Sequence, residues 1–191
     1  GNYGYTVSTD GGTPAEKTGT ITVNTPSISV TTTAMDLSTT GWAASSSTSR
    51  AVSGSNLVSN ISVSVDVPFQ VSNDNSTWGT TTSFTKSGYS ASGTLYVRYN
   101  PSSGDGTDSG TITISATGAS SRNIDVTGTA AAKITLSSGS ATQSVKQNVA
   151  ITNIVYTVEG GVTGASCTGL PTGVTFDDET YTISGTPTTS T

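Results

Sequence analysis

Few residues in this chain are equipped for bond-making chemistry. Its 191 residues include no histidine and one cysteine, Cys167, set among 12 acidic and 7 basic side chains. Without an imidazole, neither a Ser-His-Asp triad nor a histidine metal site can be built, and one thiol cannot form a thiolate metal cage. Paired carboxylates could still hydrolyse a glycosidic bond. The acidic residues, however, fall in turn-like runs, Asp105-Gly106-Thr107-Asp108 and Asp177-Asp178-Glu179, where a solvated loop is the ordinary reading. No enzymatic activity is expected. The same runs are the candidates for calcium, Asp105 with Asp108 or Asp177 with Asp178, although neither has EF-hand spacing. No other cofactor is suggested.

Aromatic side chains supply the second kind of chemistry, recognition of a sugar face. Trp42, Trp78, Tyr89, Tyr96 and Tyr99 cluster in the middle of the chain, and Trp78 lies in the turn-like stretch from Asn73 to Gly79. An exposed ring there would make Trp78, with Trp42, a glycan contact. The competing reading is that both tryptophans cap a small core. Asn60-Ile61-Ser62 and Asn75-Ser76-Thr77 match the N-glycosylation pattern.

These residues must be held by strands. Ser and Thr together exceed a third of the chain, Gly contributes 22 residues, and charged residues are 10%. Thr is β-branched and favours strands, while Gly and Ser punctuate them. Hydrophobic content is only 31%. Low charge and regular period-2 alternation nevertheless argue for folded, thin β-sandwiches rather than disorder. The length fits two such domains. A net charge of -5 with no basic run excludes nucleic acid and anionic membrane surfaces as partners. No run approaches the roughly 20 apolar residues of a membrane span, so direct membrane insertion is not expected. No signal peptide is evident, and the chain reads as a mature or excised region. Cys167 has no internal disulfide partner and is expected to pack inside a strand-like run.

Three segments follow from the pattern. Residues 1–25 alternate Tyr3, Tyr5 and Val7, turn at Asp10-Gly11-Gly12, and alternate again through Ile21 and Val23, which predicts a hairpin. Two strands alone are marginal in water, so this hairpin needs a host sheet. After Asn24-Thr25-Pro26, residues 26–130 carry strands at Ser27–Thr32, Asn60–Asp66, Phe69–Val71, Gly93–Tyr99, Gly110–Ser115 and Ile124–Thr129. Ala130-Ala131-Ala132 reads as a junction, and residues 131–191 carry strands at Lys133–Leu136, Asn148–Thr152 and Ile154–Val158. No segment reads as a helix.

The strand endings Val97-Arg98-Tyr99-Asn100-Pro101, Gly110-Thr111-Ile112-Thr113-Ile114 and Val126-Thr127-Gly128 resemble bacterial surface sandwich modules related to the ASH and choice-of-anchor type domains. That resemblance covers mainly residues 56 to 130 and implies a seven-stranded immunoglobulin-like sandwich without catalytic residues. Gly169-Leu170-Pro171-Thr172-Gly173-Val174 and Ile183-Ser184-Gly185-Thr186-Pro187-Thr188 resemble the immunoglobulin-like repeats of large Bacteroidetes-type surface proteins. Such a domain implies two further strands, of the form Tyr-x-Tyr-x-Val and then Gly-x-Ile-x-Val, and residues 3 to 8 and 19 to 23 supply that order and spacing. Writing Thr191 directly before Gly1 reads through without a break in pattern. The fold expected is therefore all-β, tandem immunoglobulin-like sandwiches, one complete and one completed by a terminal two-strand hairpin.

A sandwich lacking two strands exposes unpaired backbone and a strip of core, and so invites strand addition. Burying Tyr3, Tyr5, Val7, Ile21 and Val23 could contribute roughly 1.5 to 3 kcal/mol each. The expectation is a noncatalytic, extracellular, cell-surface repeat of a bacterial adhesin or filament whose partners are copies of itself, head to tail. Separate subunits and one long covalent array both fit, as do gliding-motility adhesins and giant tandem-repeat proteins. The alternative is a carbohydrate-binding accessory module whose partners are surface glycans. An isopeptide cross-link has one suggestive lysine, Lys133.

Overall fold

The computed structural model of the chain describes residues 1–13, 15–102 and 106–189. It is all-β, with sixteen strands in several sheets and no helix among the described residues. The first two strands, β1 (Asn2–Ser8) and β2 (Glu16–Thr22), form an antiparallel ribbon that pairs with no other sheet. Its register places Tyr3 opposite Ile21, Tyr5 opposite Gly19 and Val7 opposite Lys17. Val23 follows β2 and donates its amide to the Gly1 carbonyl at 2.8 Å.

The sandwich spans residues 27–131. Its strands are β3 (Ser27–Val30), β4 (Met35–Asp36), β5 (Thr39–Thr40), β6 (Thr48–Ser55), β7 (Ile61–Ser64), β8 (Phe69–Ser72), β9 (Thr81–Phe84), β10 (Ala91–Tyr99), β11 (Thr107–Ser115) and β12 (Arg122–Ala131). One sheet has the order β3-β6-β10-β8 and the other β4-β12-β11-β7-β9, with β5 also on β12. Ten strands replace the seven that the resemblance implied. The chain from Ser27 to Thr40 starts against β6 in one sheet and then runs parallel to β12 in the other, which divides it into three short pieces.

Period-2 alternation fills the space between these sheets. Leu95, Val97 and Tyr99 from β10 meet Ile112, Ile114, Ile124 and Val126 from β11 and β12, all essentially inaccessible to solvent. Twenty buried residues form this one cluster, and each fully buried aliphatic or aromatic side chain contributes about 1.5 to 3 kcal/mol. Two glycines make room for rings. A β-carbon at Gly128 would lie 2.6 Å from the Tyr99 ring, and one at Gly93 would lie 2.5 Å from Phe84. Tyr99 packs at 5.3 Å, centroid to centroid, against Phe69.

The C-terminal unit is a single antiparallel sheet. Its strands are β13 (Lys133–Ser138), β14 (Ile154–Glu159), β15 (Val174–Asp177) and β16 (Thr182–Gly185), in the order β13-β14-β16-β15. The signature glycines close the β15–β16 pair. Val174 donates to the Pro171 carbonyl at 3.0 Å across a turn whose third residue, Gly173, has φ +90°, as a type II turn requires. Gly185 has φ +130°, and a β-carbon there would strike the Gly173 carbonyl.

No strand forms at 148–152. Asn148 takes φ +63° and the Gln143 amide clamps Thr152, accepting from its N–H at 2.9 Å and donating to its C=O at 2.7 Å. These side-chain bonds substitute for a ladder. The Ala130–Ala132 junction is also tighter than the sequence suggests, because β12 ends at Ala131 and β13 begins at Lys133. Gly41 and Gly161 donate to the carbonyls of Ala131 and Ala130, each at 2.8 Å. Lys133 faces Glu159 at 3.8 Å as a surface ion pair.

Candidate assembly interface

Among the described residues, two apolar faces lack a covering layer. On the N-terminal ribbon, direct cross-strand partners share a face, so Tyr3, Tyr5, Val7, Ile21 and Val23 line one side with Gly19 and Lys17. Tyr5 lies over Gly19, where a β-carbon would overlap its ring. The opposite side holds only Asn2, Gly4, Thr6, Ser8, Glu16, Thr18, Thr20 and Thr22, which are polar or small. All five predicted hairpin residues are 50 to 63% exposed, so the ribbon displays its apolar side to water. Within a globular core these positions would be covered.

The second uncovered face belongs to the C-terminal sheet. Pairing sets Ile134 opposite Val158, Leu136 opposite Tyr156, and Ile183 between Ile154 and Phe176, so all four strands project apolar side chains to one side. Only Ile154, Val174 and Ile183 are buried, each at 9%, while Ile134 remains 64% exposed. A sheet with one apolar face must bury it against a second layer to be stable. Here that side is an open groove lined by Ile134, Tyr156, Val158, Phe176 and Ile183 from the sheet and by Ala165, Ser166 and Cys167 from the β14–β15 connection. Cys167 is half-buried at this groove rather than enclosed in a strand as expected, because the layer that would cover it is lacking. Composition and motif resemblance pointed to the hairpin half of this pair. The groove residues were legible only as ordinary strand alternation, and what marks them is the shortage of buried partners.

The remaining candidates sit elsewhere. Asp105 lies outside the described residues. Asp108 is not in a turn but in β11, and its carboxylate accepts the Tyr99 hydroxyl at 2.5 Å. Burial, reinforced by Asp108, pushes the Tyr99 phenol above its usual range, so the phenol stays neutral and acts as the donor. Asp177 accepts the backbone amides of Glu179 and Thr180, both at 2.9 Å, and the Thr180 bond above all holds its carboxyl below the usual aspartate range. Asp178 is exposed beside it. Among the described residues no three His, Cys, Asp or Glu side chains converge as a metal cage would require.

Trp42 and Trp78 occupy separate turns. Trp42 is 38% exposed after β5, whereas Trp78 is half-buried with the Arg98 guanidinium 4.4 Å from its ring centroid. Arg98 is fixed in turn by two bonds to Gln70 Oε1, at 2.8 and 2.7 Å. One face of Trp78 is therefore occupied by a cation–π contact.

The turn that carries Trp78 is organised by Asp74, a residue the sequence reading did not single out. Its Oδ1 accepts from Thr77 N at 2.7 Å, Ser76 N at 2.8 Å and Ser72 Oγ at 2.8 Å, and its Oδ2 from Thr77 Oγ1 at 2.9 Å. The amide of Thr77, then that of Ser76, holds this carboxyl well below the ordinary value of 3.8. A depressed pKa contributes stability that is present above 3.8 and lost as pH falls through the folded value. The melting-temperature difference between the wild type and Asp74→Asn should therefore be largest near neutral pH and shrink steadily as pH drops below 3.8. A difference independent of pH would refute this role.

No protein-family model matches the chain, and no curated protein matches it.

Proposed function

We propose that this chain is a noncatalytic structural unit of a bacterial cell-surface adhesin or extracellular filament, joined head to tail when the ribbon of one copy covers the open sheet of the next. The observation that carries the reading is the presence, in one chain, of two uncovered and complementary apolar faces: a two-stranded ribbon and a four-stranded sheet. Neither is satisfied within the chain, since the ribbon residues stay at least half exposed while the groove stays open. Together they supply six strands, close to the seven of a small immunoglobulin-like sandwich.

The two faces differ, so the contact is heterologous and propagates unless it closes on itself. Strand addition then contributes backbone bonds as well as apolar burial. The low charge and the Ser/Thr-rich surface suit an extended display element outside the cell. Glycan binding is the weaker reading, because Arg98 already takes one face of Trp78.

Light scattering of the purified chain over a concentration series tests the proposal. Species growing past the dimer are expected. A reciprocal exchange that stops at a dimer would overturn the filament, and a monomer at every concentration would overturn assembly altogether.

A further inference from the structure

Between β14 and β15 the chain crosses the open side of the C-terminal sheet, and residues 163–168 there run as a strand without a neighbour. Over residues 165–168 the exposure alternates: Ala165 and Cys167 are half-buried at the groove, while Ser166, at its rim, and Thr168 are exposed. That is the period of a half-buried strand. Among the described residues, no backbone amide of 163–170 donates a hydrogen bond. Such a row of free donors is what an incoming strand pairs with.

Which strand of the ribbon takes that place can be read from its apolar face. β1 contributes Tyr3, Tyr5 and Val7 to it, three large side chains in a row. β2 contributes Lys17, Gly19 and Ile21. The centre of a covering sheet is the buried position, and a lysine belongs on a solvent-facing edge strand. We infer that residues 163–168, which end at the left-handed Gly169, form the first strand of a second sheet, that β1 of a second copy of this chain pairs antiparallel beside them with Tyr3, Tyr5 and Val7 facing inward over Cys167, and that β2 becomes the outer edge. This rests on the head-to-tail reading above and adds to it the strand order and the group that becomes covered.

Directly paired residues on one face of neighbouring antiparallel strands have β-carbons about 4.5 to 5.5 Å apart, close to disulfide range. A residue on the next strand out is displaced by roughly a further 4.8 Å and cannot bridge. Cys167 is therefore a built-in reporter. Single cysteines are placed in the full-length chain at Tyr3, Tyr5 and Val7, at the outward-facing Thr6, and at Ile21 on β2. Each variant is mildly oxidised, and its products are separated under denaturing, non-reducing conditions.

At least one of Tyr3→Cys, Tyr5→Cys and Val7→Cys should give a ladder of disulfide-linked chains, since each copy carries one donor and one acceptor thiol. Thr6→Cys and Ile21→Cys should give no more than the dimer background that Cys167 alone produces. A ladder from Ile21→Cys instead would reverse the strand order. A bridge closed within one chain would exclude the second copy as occupant.

Because the inward cysteines themselves remove docking side chains, alkylation of Cys167 in the unmodified chain gives an independent measure. It should slow roughly tenfold or more in assembled material relative to the non-associating Tyr3→Ser/Tyr5→Ser/Val7→Ser chain. Assembly with equal alkylation rates would overturn this placement while leaving head-to-tail association intact. Failure of the unmodified chain to associate at any concentration would overturn both.

Discussion

Serine at both Tyr3 and Tyr5 is expected to weaken association of this chain by about a hundredfold. Both rings are already partly covered by their own ribbon, so each loses the lower end of the burial energy of a large side chain. That is about 1.5 kcal/mol apiece and about 3 kcal/mol together, equivalent to a factor of about 100 in Kd. The effect should be confined to assembly. Neither tyrosine belongs to the sandwich core, and the ribbon forms no ladder with another sheet, so the melting of residues 27–131 should be unchanged. Replacing Thr6 and Thr20 by Ser on the polar face of the ribbon serves as the control and should alter association by less than about twofold, because surface changes of this kind stay within about 0.5 kcal/mol. Sedimentation velocity across a concentration series measures both variants. Equal association of wild type and the double-serine chain would remove the ribbon from the interface.

Strand placement was largely legible because period-2 alternation is a direct consequence of the pleat. Tyr3-x-Tyr5-x-Val7, Ile61-x-Val63 and Ile112-x-Ile114 each fall in strands where the alternation put them. Misreadings arose where a side chain overrides the backbone pattern. Residues 148–152 have an acceptable composition for a strand, but Gln143, several residues away, takes over the Thr152 backbone groups, and a clamp of that kind leaves no periodic trace. Asp108 looked like turn chemistry because Asp-Gly precedes it. Its role is set by Tyr99 on another strand, a long-range partner that local reading does not see. The ribbon half of the proposed interface could be read from motif and pattern, and the groove half could not. An uncovered apolar strand and a covered one have the same sequence, and only the count of buried neighbours separates them.

Valine at Gly128 is expected to destabilise the sandwich by about 3 kcal/mol, lowering its melting temperature by more than about 10 °C. Propensity alone predicts the opposite sign. Gly128 lies in β12 paired with Asp108, it is not among the positive-φ glycines, and valine is a far better strand former. What decides the sign is the Tyr99 ring, whose Cγ and Cδ2 would lie 2.6 and 2.7 Å from the new β-carbon. These atoms are at the base of the ring and cannot swing aside cheaply. The ring is 1% exposed, packed on Phe69, and anchored at its far end by the hydrogen bond to Asp108. Relief therefore requires either breaking that half-buried bond or separating the two sheets. A double-mutant cycle distinguishes this from a general intolerance of β12. Gly128→Val should cost much less in a Tyr99→Ala background, where the added methyl groups enter the vacated space, giving a coupling of about 1 kcal/mol or more between the two positions. Strictly additive costs would mean that the glycine is required for some reason other than the ring above it.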